Sequence, residues 1–455
     1  MTSHSTTLRG GKPVSGEVTV SGFKHVLVLA LAHAVGTGGK FTLHNAPDIL
    51  ETAVYHDFLP RLGIPTTRDE EGSLTIDASG EIADTLPEAA EAIHGSLYLL
   101  PALLARTGRA RFSARFGGCR IGAASSGERP WRNVVQVLER FGAHITSDGP
   151  EFVLRAPVLR GASIDLRDFT TDPRTLSGPE YSGATKAAVL TAALAEGPSQ
   201  LRFPYPKAEL TALLDLLRAD GVEVERSGDT LAISGQPTGP RLRKHRLPAD
   251  LIEVVSWVTV AATTGGSIAL RGVTRQEIDH GLAAELELWK TVGVELNDSE
   301  GGLVVSGPGP KGFAPLPPIE TLPTSIYSDS QPLFTVLATQ CPGASQITDA
   351  VWTGRYAHLE GMARLGASLT RSRTGVTIRQ SVLRVPPEGV EVHASDLRCA
   401  AALLSTALLV KGGPVTVHGT HHLDRGYDHL LDKLAGCSPG TVTQVKTRGS
   451  GSTTA

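Results

Sequence analysis

The chain has 455 residues, a formal net charge of −3 and 40% hydrophobic residues. That length accommodates two to four domains, each able to bury its own core, and the near-neutral balance excludes the strongly basic face that nucleic acid or an acidic membrane selects. Four cysteines (Cys119, Cys341, Cys399, Cys437) lie far apart without a C-x-x-C pair, which argues against a zinc site or a disulfide framework and fits a reducing compartment.

From the start of the chain, Met1 to Gly16 lacks the apolar core of a signal peptide. Apolar runs such as Leu97–Ala105 and Ala187–Ala195 are too short to span a bilayer. The expectation is a cytoplasmic protein with no membrane partner. The first predicted helix follows Gly22, with Lys24 and His25 at its opening, and stops at Gly38-Gly39 before the β-rich Phe41-Thr42-Leu43. The same pattern returns at Gly108, Gly197, Gly265-Gly266, Gly343 and Gly412-Gly413, each followed by a short strand. A second helix in each unit ends at Gly63, Gly142, Gly221, Gly293, Gly366 and Gly436, at spacings of 79, 79, 72, 73 and 70 residues. Glycine just past a helix end supplies a left-handed cap, which explains its recurrence there.

Two markers in phase, six times each, define six repeats. The first helices are apolar or small nearly throughout and should be internal; the second, as in Trp131–Arg140 and Leu210–Ala219, are amphipathic and should lie at the surface. Six units in an open row would need polar capping repeats, and none is visible. Two groups of three fit better, divided near Pro240–Pro248, where Pro, Arg, Lys and His cluster. Residues 438–455 are rich in Gly, Ser and Thr and read as a disordered tail.

The most conspicuous loop is Gly117-Gly118-Cys119, followed by Ile121-Gly122 and then Arg129-Pro130. Three glycines within six residues disfavour helix and strand, and a nearby guanidinium can lower a thiol pKa or hold an anion. By itself the segment is equally a glycine-rich turn with an incidental cysteine.

Six motifs together resolve this. They are Gly16-Glu17-Val18-Thr19-Val20-Ser21-Gly22-Phe23-Lys24, the Cys119 loop, Ser328-Asp329-Ser330-Gln331, Gly354-Arg355-Tyr356-Ala357-His358, Ala394-Ser395-Asp396-Leu397-Arg398 and His422-Leu423-Asp424-Arg425-Gly426-Tyr427. The chain resembles the enolpyruvyl transferases end to end, most nearly the UDP-N-acetylglucosamine 1-carboxyvinyltransferase branch. The resemblance implies an α/β fold of two inside-out α/β barrel (prism) domains, each of three repeats, with an interdomain cleft. The implied domains are 22–245 and 1–21 plus 246–437, the first strand crossing back to complete the C-terminal one.

The resemblance also implies roles. Phosphoenolpyruvate carries a phosphate and a carboxylate, so its site needs several cations; Lys24, Arg129, Arg355 and Arg398 match the family's positions. Cys119 matches a general acid at C3 that also forms covalent adducts, and Asp329 matches the carboxylate that receives the acceptor's hydroxyl proton. Asp329 also precedes an apolar helix and is a plausible N-cap. Asp424-Arg425 reads as a structural ion pair and is left outside the site. No metal and no cofactor is implied, and oligomeric state is not legible.

Departures from the family pattern cluster on the acceptor side. Lys-Asn becomes Lys24-His25, and Ala124-Ser125-Ser126-Gly127-Glu128 is inserted before Arg129. Trp131-Arg132-Asn133-Val134 replaces Val-Asp-Leu-His, His94 stands where an arginine is expected, and Pro179 replaces a lysine that helps hold a diphosphate. Arg129-Pro130, the pair that flanks uracil, is kept. The acceptor expectation is therefore a uridine nucleotide bound by His25, Arg129, Pro130, Trp131, Arg132, Ser182 and Gly183. The pattern resembles enolpyruvyl-UMP synthases of nikkomycin- and polyoxin-type nucleoside antibiotic pathways, with transfer to the 3′-hydroxyl of UMP. UDP-N-acetylglucosamine is the alternative acceptor, and an inactive binding or regulatory paralogue the alternative from another class.

Overall fold

The computed structural model describes residues 4–118, 121, 130–235, 244–309 and 312–447. The described residues form two compact units, one with residues 4–21, 121 and those from Ala249 on, the other with Gly22–Gly118 and residues 130–235 and 244–248, called the 22–248 unit below.

In the 22–248 unit, three helices (Lys24–Thr37, Leu99–Thr107 and Glu180–Leu194) pack against one another. Ten consecutive residues of the first, Val26 to Val35, are buried; all are apolar or small except His33, whose Nε2 lies 2.7 Å from Asp220 Oδ2. Close approach is built in: a Cβ on Gly36 would meet Leu194 Cδ1 at 2.6 Å. Three sheets surround this cluster, each with one topology. A parallel pair is followed by two antiparallel strands, as in the sheet Lys244–Arg246, Lys40–His44, Leu74–Asp77, Thr66–Arg68. The third repeat uses Ser163–Asp165, Pro198–Arg202, Thr230–Ser234 and Glu223–Ser227 in the same order. In the second repeat the parallel strand shrinks to a bridge between Thr85 and Arg111.

The other unit repeats the plan. Its buried helices are Leu251–Thr264, Gln331–Ala338 and Leu397–Leu409, again mutually packed. Two of its sheets borrow from the start of the chain. Gly16–Thr19 pairs in parallel with Ser267–Arg271, and His4–Leu8 sits between Val415–His418 and Val442–Thr447, antiparallel to both. Five of the six second-helix glycines adopt positive φ, from 81° at Gly63 to 97° at Gly366. The sixth, Gly436, lies inside the helix Leu430–Cys437.

Two expectations need correction here. The segment from Ser438 is not a disordered tail throughout: Ser438 and Thr441 are buried and Val442–Thr447 is a strand. Its polar composition conceals an edge-strand role, satisfied by backbone pairing to His4–Leu8 that needs no apolar side chains. Residues 448–455 lie outside the described residues. Asp329 is not a helix N-cap either. The cap position of Gln331–Ala338 is Ser330, no side chain caps it, and the Asp329 carboxylate is engaged elsewhere.

Candidate active site residues in the two units

In the unit from Ala249 on, three of the sequence-predicted residues converge. Asp329 Oδ1 accepts a hydrogen bond from Arg398 Nε at 2.9 Å and lies 3.2 Å from Arg355 Nη1. Both arginines are 5% exposed, while the Asp329 side chain is about a quarter exposed. Arg398 stands in the first turn of Leu397–Leu409, whose backbone N–H groups at 398 and 399 are capped by Asp396 at 3.0 Å each. The cap satisfies the helix end, so the guanidinium is left to act through its side chain. Burial opposes charge on Arg398, but Tyr427, Asp329 and Asp250 outweigh it and hold its pKa above the usual value. The guanidinium also lies over the Tyr427 ring, whose hydroxyl bonds Ser256 at 2.7 Å.

Arg355 follows a turn built by Asp349. This carboxylate closes the strand Ala344–Asp349 and accepts from Val351 N (3.0 Å), Trp352 N (2.8 Å), Thr321 Oγ1 (2.6 Å) and Ser328 Oγ (2.5 Å). Burial raises its pKa; Arg355 and these hydrogen bonds pull the other way. The buried Nε of Arg355 makes no hydrogen bond within the described structure. A buried charged donor without an acceptor costs roughly 1–3 kcal/mol, a cost an incoming anion removes. His358, buried just beyond, is held near a pKa of about 3 by burial, Arg355 and Arg371. Burial raises the pKa of Asp424, while the imidazoles of His4, His421 and His429 lower it.

In the 22–248 unit, Lys24 is the first residue of its helix, and Phe23 at the cap position provides no side-chain acceptor. The ammonium adds to the positive helix end and lies 3.5 Å from Glu51 Oε1. His25 packs on Phe23 at 5.3 Å between ring centroids. A second lysine, not singled out in the sequence, is Lys186, 7% exposed, with Nζ 3.0 Å from Glu209 Oε1 and 5.7 Å from the Tyr205 ring centre. Burial raises the Glu209 pKa, but Lys186 and His25 outweigh it and keep the carboxylate below its usual value. Gly183 gives room to Asn133, since a Cβ there would meet Asn133 Nδ2 at 2.8 Å, and that amide donates to Glu180 O at 2.7 Å. Ser182 and Pro130 are half-buried and Arg132 is exposed.

Trp131 is a correction. It is buried against Phe112 and Phe152, with ring centroids at 5.8 and 4.9 Å, and Arg132 stacks over its outer face at 4.7 Å. The indole belongs to the core rather than to the nucleotide-binding set expected from the sequence; its strand partners lie too far along the sequence for the motif to reveal them. Cys119 and Arg129 lie outside the described residues. Among the described residues no cluster of three or more His, Cys, Asp or Glu could hold a metal, and no helix is long and apolar enough to cross a membrane.

Six repeats of one strand–helix plan, three in each unit, make up the fold, and two arginines of the second unit meet on one carboxylate. The profile of the EPSP synthase family (3-phosphoshikimate 1-carboxyvinyltransferase) matches residues 8–434, and the chain belongs to this family. UDP-N-acetylglucosamine 1-carboxyvinyltransferases from Anaeromyxobacter sp. (strain K) and Acidiphilium cryptum are 33% and 32% identical to it. Each match covers 94% of this chain and 96% or 97% of the relative. Among solved structures, the enolpyruvyl transferase NikO from Streptomyces tendae superposes with a TM-score of 0.88 at 32% identity, over 98% of this chain and 99% of that one. EPSP synthase from Acinetobacter baumannii gives 0.70 at 18% identity over 98% and 100%, a likeness of fold. The protein is an enolpyruvyl (1-carboxyvinyl) transferase.

Proposed function

We propose that the protein transfers the enolpyruvyl group of phosphoenolpyruvate to the 3′-hydroxyl of UMP and releases inorganic phosphate. The observation that carries the donor half is the pair of buried arginines on Asp329, with Nε of Arg355 left without an acceptor. Guanidinium groups grip carboxylate and phosphate through two parallel hydrogen bonds, which an ammonium cannot do. Lys24 and Arg129 complete the donor cations.

The reaction runs in two balanced steps. The acceptor oxygen adds to C2 of the donor as its proton passes to Asp329, and C3 gains a proton from Cys119. The C3 proton of the tetrahedral adduct then returns to the Cys119 thiolate while the C2–O bond to phosphate breaks and the proton held by Asp329 leaves with the phosphate, giving the enolpyruvyl ether and free phosphate. Asp329 suits the first transfer because it is partly exposed while the arginines that hold it are buried.

The acceptor reading rests on the 22–248 unit. His25, Arg129, Pro130, Arg132, Ser182 and Gly183 form the proposed nucleotide set; Trp131 is left out because it is spent on the core. Pro179 replaces a cation that a diphosphate would need, so a monophosphate costs the site less to hold. The 0.88 superposition on NikO supports a specialised transferase. The UDP-N-acetylglucosamine reading is favoured by relatives 33% identical over nearly the full length. Mass spectrometry of the product decides: a gain of the enolpyruvyl mass on UMP, and none on 3′-deoxy-UMP, is expected. A gain on UDP-N-acetylglucosamine with none on UMP would overturn the UMP reading, and no phosphate release with either would leave the inactive paralogue.

A further inference from the structure

The turn that carries Asp329 is held at both ends by buried carboxylates. On one side, Glu285, 1% exposed, accepts from Tyr327 N at 2.7 Å and from Ser330 Oγ at 3.0 Å. On the other, Asp349, 2% exposed, accepts from Ser328 Oγ at 2.5 Å. The same Asp349 carboxylate takes Thr321 from a neighbouring strand and the two N–H groups that open the loop leading to Arg355. It thereby joins three segments: the strand Ile319–Thr321, the Asp329 turn and the Arg355 loop.

Burying a carboxylate costs several kcal/mol before its hydrogen bonds are counted. An apolar residue would pack a strand end at lower cost. Only an acceptor with two oxygens and several lone pairs can collect four donors from three directions. What this arrangement secures is the relation between Asp329 and Arg355, whose own contact is a single 3.2 Å approach. Misplacing a reacting group by about 1 Å can cost on the order of 100-fold in rate.

We infer that Asp349 and Glu285 are positioning residues of the transfer reaction: together they pin the Tyr327–Ser330 turn so that Asp329 faces Arg355 and Arg398, and Asp349 also fixes the loop that carries Arg355. The inference rests on Asp329 as the proton acceptor. Ser328→Ala tests it with least damage, because it removes the one hydroxyl that ties the turn to Asp349 and leaves that carboxylate its other three donors. In a phosphate-release assay with phosphoenolpyruvate and UMP, kcat should fall about tenfold while KM for the donor stays within about twofold. Ser328→Thr, which keeps the hydroxyl, should recover turnover. Glu285→Gln keeps an acceptor for Tyr327 N and should outperform Glu285→Leu. In an Asp329→Asn background, Ser328→Ala should cost nothing further, because the two act through one group.

An unchanged kcat in Ser328→Ala, beside a crippled Asp329→Asn, would sink the positioning role alone. So would a full additive loss in the double variant. Full turnover in Asp329→Asn would sink the proton-acceptor reading, and the positioning role with it.

Discussion

The two units hold their buried charges in different ways. In the 22–248 unit the buried Lys186 ammonium sits on the Glu209 carboxylate, one cation beside one anion. In the other, two guanidinium groups converge on the single carboxylate of Asp329. A one-to-one buried pair is close to electrostatic balance and mainly fixes packing. Two cations on one anion leave positive charge and hydrogen-bond capacity for a ligand. The difference separates charge that holds the fold from charge that waits for substrate, and each side of it can be tested.

The largest effect is expected on the unbalanced side. Arg398→Ala removes charge-assisted hydrogen bonds worth roughly 1.5–3 kcal/mol each, so kcat/KM for phosphoenolpyruvate should drop about three orders of magnitude. A loss under about tenfold, measured by phosphate release, would remove the contrast between the units. On the balanced side, Lys186→Met strands the Glu209 carboxylate in the interior and should lower unfolding free energy by about 3–5 kcal/mol. Urea denaturation should show this, and Lys186→Met combined with Glu209→Leu should regain most of it. If the single variant unfolds like the wild type, the pair is not the structural element its burial indicates.

A smaller effect concerns pH. His358 has a folded pKa of about 3 against an ordinary 6.5, so the unfolded chain binds the extra proton between those values. Its contribution to stability is complete above the unfolded pKa and is lost as pH falls, at up to about 1.4 kcal/mol per pH unit. Melting curves between these limits should be flatter in His358→Leu; an equal slope in both proteins would contradict the assignment. Smallest of all, Thr274→Ala breaks the capping box that Thr274 and Glu277 form at the start of the helix Arg275–Gly281. It should cost about 1 kcal/mol of stability and leave turnover unchanged, since charge in this unit matters to catalysis only around Asp329.

The six-fold repeat was legible because a helix stop and a turn each demand a residue with special backbone freedom, and glycine leaves that mark in the sequence. Asp329, Arg355 and Arg398 were legible for a related reason: their chemistry requires particular side chains in short motifs. The residues that support them left no such mark. Asp349 ends a strand and Glu285 sits in an ordinary amphipathic helix, Ala283–Val292, so each looks like a surface acid until the fold buries it. Lys186 was hidden similarly, one cation within an Ala-rich helix whose partner lies on the next. Trp131 failed in the opposite sense, since an aromatic beside Arg-Pro suggests a ligand contact, while Phe152 claims it from a strand the motif does not contain.

The strands His4–Leu8 and Gly16–Thr19 carry a consequence for synthesis on the ribosome. The 22–248 unit draws all its described strands from that stretch and can complete its sheets once its last strand has emerged. The other unit includes residues up to Ser21, and His4–Leu8 needs Val415–His418 on one side and Val442–Thr447 on the other, while Gly16–Thr19 finds its partner at Ser267–Arg271. His4–Leu8 therefore stays unpaired until those later strands have emerged, so the 22–248 unit can complete its sheets earlier in elongation than the other.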